Sequence, residues 1–184
     1  MPSMTRRTAL AAFAACALAT AVAFPAGAQP KAGEPLKIGF VYVSPIGDAG
    51  WTFQHDTGRK EMEKALGAKV TSKYIESVPE GADAERVIRE LAQSGHQLIF
   101  TTSFGYINPT IKVAGTFPKT HFEHATGYKS AANVGIYNAR FYEGRYLAGI
   151  VAGRMTKSNV AGYVAAFPIP EVVMGINATY LAAK

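Results

Sequence analysis

The 184-residue chain is 48% apolar, 17% charged and 11% aromatic, with a formal net charge of +6 and a single cysteine. That profile excludes a disordered or fibrous protein, and no internal repeat is present. The basic excess is too mild to argue for nucleic acid, and part of it belongs to the first segment.

Arg6 and Arg7 stand directly before an apolar run, Ala9 to Phe24, that ends in Ala26-Gly27-Ala28. Basic start, apolar middle and small-residue cleavage site are the three parts of a secretory signal, so residues 1–28 are expected to be removed on export. Thr5-Arg6-Arg7 also hints at twin-arginine export, but Thr8-Ala9 displaces the large apolar residue that should follow the pair, and both routes stay open. Phe13-Ala14-Ala15-Cys16 departs from a lipoprotein box, because the apolar stretch before Cys16 is short and a long one follows it. Cys16 is therefore expected to leave with the signal, and no disulfide framework is available to the exported protein. Taking 28 residues from 184 leaves 156, and losing Arg6 and Arg7 lowers the charge from +6 to +4. A chain of that length can bury about two-thirds of its unfolded surface, so size does not forbid independent folding. Outside the signal no apolar run is long enough to span a membrane.

Residues 29–35 contain two prolines and a glycine and read as a flexible leader. Lys37 to Val43 (KIGFVYV) is a short apolar run rich in β-branched and aromatic residues; it predicts a buried strand feeding the loop Ser44-Pro45-Ile46-Gly47-Asp48-Ala49-Gly50. A helix is expected over 52–66, with Thr52 as its cap, Asp56 and Lys60 paired one turn apart and Gly67 as its stop. Strand 69–75, helix 81–94 and strand 97–102 follow. The second helix has the clearest period, since Ala84, Val87, Ile88 and Leu91 recur at helical spacing and Glu85 faces Arg89. A shorter helix is expected at 109–116 and strands at 121–126 and 133–138. Residues 141–155 are apolar on nearly every face and spaced by Gly144, Gly149 and Gly153, which predicts a buried helix packed closely on its neighbours. A strand at 159–166 and a helix at 170–183 complete the pattern.

Strands alternating with helices at this spacing give an α/β fold with a doubly wound, mostly parallel sheet. Ligands in such folds bind beyond the carboxyl ends of the strands, which selects residues 44–51, 103–106, 138–140 and 167–171. Trp51, Phe104 and Phe167 stand in three of these segments among glycine, proline and small polar groups. Aromatic faces with a few polar anchors suit a flat heteroaromatic or sugar-like ligand. Each residue also has a purely structural reading. Trp51 is equally a packing residue or hydrophobic staple before a helix, Phe104 a lid on the core, Phe167 a contact between lobes, and Asp48 a turn residue bonding its own backbone.

Catalytic signatures are weak. The glycines of Gly47-Asp48-Ala49-Gly50 do not have dinucleotide-binding spacing, no P-loop exists, and Ser103 lacks the first glycine of a nucleophile elbow. His55, His96, His121 and His124 are scattered, and the last two, three apart on a strand, point to opposite faces, which argues against a metal site.

The strand at 37–43 followed by IGDAGWTFQHDTGRKEM, then GADAERVIRELAQSGHQLIFTTSFGY and FEHATGY, and above all YNARFYEGRYLAGIVAGRMTKSNVAGYV followed by PIPEVVMGINA, resembles the basic membrane protein family of ABC-importer substrate-binding proteins, which includes the purine nucleoside receptor lipoproteins. The resemblance runs from Leu36 to the end and is most specific over 137–162. It implies a type I periplasmic-binding-protein-like architecture, two α/β lobes closing on a purine base or nucleoside held between aromatic residues. Asp48 corresponds to the acidic residue of the family's D-x-S-F-N-type loop, and Gly50-Trp51-Thr52 stands for Ser-Phe-Asn. Trp51 thus keeps the aromatic face, while Thr52 in place of Asn shortens a polar arm and favours an adenine-like base over a nucleoside. Ser103-Phe104-Gly105-Tyr106 corresponds to the family's Gly-Phe loop, and Ala165-Ala166-Phe167 replaces a glycine pair and the residue after it. With Gly47 and Asn138, the candidate ligand-binding set is Gly47, Asp48, Trp51, Thr52, Ser103, Phe104, Gly105, Tyr106, Asn138 and Phe167. The resemblance further implies residues 36–140 as a first lobe, residues 141–184 as a crossover and the start of a second, an ABC permease as partner, a monomer, and no cofactor. The family continues for about as many residues again, whereas here the chain stops at Leu181-Ala182-Ala183-Lys184 inside a periodic helix. A fragment of a two-lobed binder is therefore expected. Two alternatives stay open: a secreted α/β enzyme using Asp48 or Glu143 as base, and a ligand-binding sensor subunit.

Overall fold

A computed structural model describes residues 33–184; the expected signal, its cleavage site, Cys16 and most of the leader lie outside the described residues. Five strands, β1 (Leu36–Val41), β2 (Val70–Ile75), β3 (Leu98–Thr101), β4 (His121–Ala125) and β5 (Val134–Tyr137), pair in parallel in the order β2-β1-β3-β4-β5. β1 lies between β2 and β3, with Phe40 beside Tyr74 on one side and Phe100 on the other. Its near-continuous apolar run follows from having both faces covered. Ile38, Phe40 and Tyr42 pack on one face with Val70, Met62 and Phe100. Val41, Ile99 and Phe122 pack on the other with residues of the second and third helices.

Those helices are α1 (Trp51–Leu66), α2 (Ala82–Gln93) and α3 (Ile107–Thr116). α2 buries Ala84, Val87, Ile88, Leu91 and Ala92, and Glu85 meets Arg89 at 3.1 Å, both as its sequence period requires. The inward face of α1 is polar instead. Asp56, nearly inaccessible, takes Arg59 Nε at 2.8 Å on one oxygen and Lys60 Nζ at 2.8 Å on the other, so the expected Asp56–Lys60 pair forms with Arg59 added. Burial alone raises the Asp56 carboxyl; the two cations outweigh it and hold the group below its ordinary range. The cap of α1 is corrected. Gly50, at φ +95°, holds the N-cap position, and Thr52 sits inside the first turn with its Oγ1 2.7 Å from Ser44 Oγ. The tight left-handed turn into α1 requires glycine, which moves the helix start to Trp51.

The last third of the chain departs from expectation in two elements. α4 (Phe141–Met155) forms, but of its residues only Gly149 is buried, while Leu147, Val151 and Met155 are exposed. Its apolar faces outnumber its neighbours: it packs on α5 (Pro170–Ala183) along one side, where Gly149 and Gly153 let the backbones of Thr179 and Ala183 approach. The strand expected at 159–166 is not a strand. A strand persists only with a ladder partner, and among the described residues none runs beside this segment; Val160 and Val164 point into solvent. No helix of the described residues is long and apolar enough to cross a membrane.

Candidate functional site

In a 2-1-3-4-5 sheet the chain leaves β1 and β3 toward opposite faces, and a crevice opens between the two strand ends. A cavity of about 820 Å³ occupies that place. One wall comes from the strand ends: Val43 and Gly50 after β1, Trp51, Gln54 and His55 in the first turns of α1, Ser103 and Phe104 after β3, and Thr126 after β4. The opposite wall comes from Phe141 and Arg145 of α4, Ala166 and Phe167 in the connection, and Ile169, Glu171 and Val172 at the start of α5.

Trp51 joins the two strand ends. Its indole Nε1 donates to the Thr102 carbonyl across the crevice, and its ring packs against His55 at 4.8 Å and Phe141 at 5.7 Å between centroids. The side chain remains 36% exposed, so it packs and also presents surface to the cavity. His55, one turn on, has Nδ1 2.9 Å from the Trp51 carbonyl; with Nδ1 donating there, Nε2 is the acceptor nitrogen. Burial holds this imidazole below its ordinary pKa, against the pull of that bond.

The Phe104 turn is fixed by a residue that sequence reasoning overlooked. Glu80 Oε1 accepts the Ser103 hydroxyl and, at 3.1 Å, the Gly105 N–H. The carboxylate lies where a side chain at residue 105 would point. Phe104 in turn packs on Tyr128, 5.6 Å between centroids.

The expected set divides clearly. Trp51, Ser103, Phe104 and Phe167 converge on the cavity wall. Gly47 (φ +59°) and Asp48 are exposed in the β1–α1 loop outside that wall, and Thr52 is occupied by Ser44. Gly105 backs onto Glu80, and Tyr106 is fully buried with its hydroxyl donating to the Val78 carbonyl at 2.6 Å. Asn138 is exposed after β5, its Oδ1 accepting the Ala139 N–H at 2.8 Å, and its amide stands beside the carboxylate of the wall residue Glu171. Sequence reasoning did not single out His55, Phe141 or Arg145. Helical spacing offered a signal for two of them: His55 lies four residues after Trp51, and Arg145 four after Phe141.

Glu171 is the other overlooked wall residue. Its Oε2 is buried without a hydrogen-bond partner among the described residues. Burial raises its carboxyl above the ordinary range, opposed by the Arg145 charge and the Asn138 amide. Neither Asp48 nor Glu143 lines the cavity, and Glu143 pairs with Arg140 at 3.0 Å. His121 is exposed while His124 is fully buried, on opposite faces of β4 as strand alternation requires. Among the described residues no group of three or more His, Cys, Asp or Glu is placed to hold a metal ion.

The α/β fold described above agrees with comparison to known proteins. The family model described as "ABC transporter substrate-binding protein PnrA-like" (Bmp) matches residues 36–182. The chain belongs to this family. A purine-binding protein of Brucella abortus (strain 2308) is 56% identical over 167 residues, covering 91% of this chain and 48% of that protein. A Haloferax volcanii protein provisionally named as the ABC transporter glucose-binding protein TsgA13 is 47% identical over 158 residues, covering 86% of this chain and 40% of that one. Among solved structures, an ABC transporter solute-binding protein from Conexibacter woesei superposes with a TM-score of 0.58 at 25% identity, covering 80% of this chain and 51% of its own. This Bmp-family chain therefore spans about half the length of the relatives it matches. The family and the relatives named above are described as solute- or ligand-binding proteins of ABC transporters or as binding proteins.

Proposed function

We propose that the protein captures a purine base outside the inner membrane and hands it to an ABC permease, without chemistry of its own. The observation that carries this reading is the cavity at the ends of β1 and β3, in which Trp51, Phe104, Phe141 and Phe167 surround a few polar groups. Ring faces of this kind favour a flat heteroaromatic over an aliphatic solute. The relative named as purine-binding supplies the ligand class. Thr52 favours a free, adenine-like base over a nucleoside, because its hydroxyl is engaged by Ser44 and offers no arm to a ribose. In this reading residues 36–140 form one lobe, residues 141–184 open a second, the protein is a monomer, and export follows removal of residues 1–28.

Calorimetric titration with adenine, adenosine, guanosine and glucose tests it. Adenine is expected to bind more tightly than either nucleoside, and glucose not at all. Binding of glucose alone, or of none of the four, overturns the reading. Recovery of every ligand unchanged after prolonged incubation, measured by mass spectrometry, is the outcome expected of a carrier and excludes an enzyme acting on these ligands.

A further inference from the structure

Most polar groups near the cavity already have partners: the Trp51 indole N–H, the Ser103 hydroxyl and the Thr52 hydroxyl are all engaged within the protein. Glu171 differs. It stands in the first turn of α5, directly after Pro170, and is a residue of the cavity wall; the Asn138 amide stands beside its carboxylate, whose Oε2 is buried and unbonded among the described residues. A buried acceptor without a donor costs free energy, and the cost is recovered only when a donor arrives. Arg145 is on the same wall, but its guanidinium lies over the Tyr163 ring at 6.0 Å. Burial raises the Glu171 carboxyl above its ordinary range, opposed by the Arg145 charge and the Asn138 amide and by its place in the first turn of a helix; its remaining oxygen is closed off from solvent and still lacks a donor.

We propose that Glu171 is the specificity-determining residue of the cavity, its free Oε2 accepting a hydrogen bond from an exocyclic amine on the edge of the bound base. The aromatic rings take the faces of the ligand and do not distinguish one purine from another. The carboxylate reads the edge and selects ligands that carry an amino group over those that present only ring nitrogens or a carbonyl. This inference rests on the purine reading above and adds to it the part of the ligand that is recognised.

The test compares adenine with unsubstituted purine, which has the same ring system without the amine, on the full chain and on Glu171→Leu and Glu171→Gln. Wild-type protein is expected to prefer adenine by at least about tenfold, since a site built to receive a donor rejects the analogue that lacks it. In Glu171→Leu adenine binding falls roughly 10- to 100-fold while purine binding stays within about threefold, so the preference disappears. Glu171→Gln keeps the shape and an acceptor oxygen but loses the charge, and is expected to lie between the two. Thermal melts separate this role from a structural one: removing an unpaired buried carboxylate leaves the melting temperature of Glu171→Leu unchanged or higher, whereas loss of a structural contact lowers it. Equal losses for adenine and purine, or an unchanged preference in both variants, overturn the inference while leaving the purine reading intact. Failure of the wild type to bind either compound overturns the purine reading itself.

Discussion

Replacing Trp51 separates two contributions that its indole makes together. Trp51→Phe keeps an aromatic face toward the cavity but removes the N–H that donates to the Thr102 carbonyl. It is expected to retain most ligand affinity and to cost about 1 kcal/mol of stability, read from a urea titration. Trp51→Ala removes the face as well, and base affinity is expected to fall roughly 10- to 100-fold by calorimetry, the range found for aromatic stacking on bases. An affinity unchanged in Trp51→Ala would place the ligand elsewhere. Glu80 calls for a different measurement, because its work is to hold the Phe104 turn. In Glu80→Ala the Ser103 hydroxyl and the Gly105 N–H lose their acceptor. Amide exchange over residues 103–106 is expected to accelerate while exchange in β3 stays slow.

At the scale of elements, α4 and α5 meet through glycine. A side chain at residue 149 meets the Thr179 backbone and one at residue 153 meets Ala183, whereas one at residue 144 meets nothing. Gly149→Val is therefore expected to destabilise the helix pair by about 1–3 kcal/mol through overpacking. Gly144→Ala is expected to stabilise it by roughly 0.5–1 kcal/mol through helix propensity. Thermal melts of both variants give opposite signs if the packing is as described. The elements also show how far the sequence could be read. Period alone located α2, because one face of the helix is buried and the other wet, and the parallel sheet followed from the alternation of strands with helices. Period failed at 159–166, where Val160 and Val164 share a strand-like spacing but among the described residues no partner lies alongside. It also misjudged α4, since an all-round apolar sequence announces burial without saying what supplies the cover. In the cavity, Trp51 and Phe104 were legible because they stand in the connections after β1 and β3, whereas Phe167 was singled out as the residue after a strand that does not form. Glu171 and Glu80 were not, because an unpaired oxygen and a loop-to-loop bond are properties of the folded arrangement.

Taken whole, the molecule is expected to lose stability in mild acid, and His124 is the main cause. Its imidazole is fully buried, with Nδ1 2.8 Å from Thr101 Oγ1 and Nε2 unbonded among the described residues, and burial pushes its pKa down to about 4. The unfolded chain takes up this proton near pH 6.5, so between about pH 6.5 and 4 the unfolded state binds more protons than the folded one. The contribution is full above that window and is lost as pH falls through it, amounting to roughly 3 kcal/mol at the acid end. His55 and His96, both lowered chiefly by burial, act in the same direction. Urea midpoints measured at about pH 7.5 and 5 should differ accordingly, and His124→Asn should flatten that difference even if its midpoint at neutral pH is lower. A midpoint independent of pH in the wild type would contradict the buried, neutral imidazole.

Trp51 is the chain's single tryptophan. It stands in the cavity wall, tethered to β3 and in contact with His55 and Phe141, so the protein carries its own optical probe at the one place where a ligand is proposed to sit. Emission excited at the indole band reports that place and no other. Occupancy of the cavity is then measurable as quenching or a spectral shift in unlabelled protein.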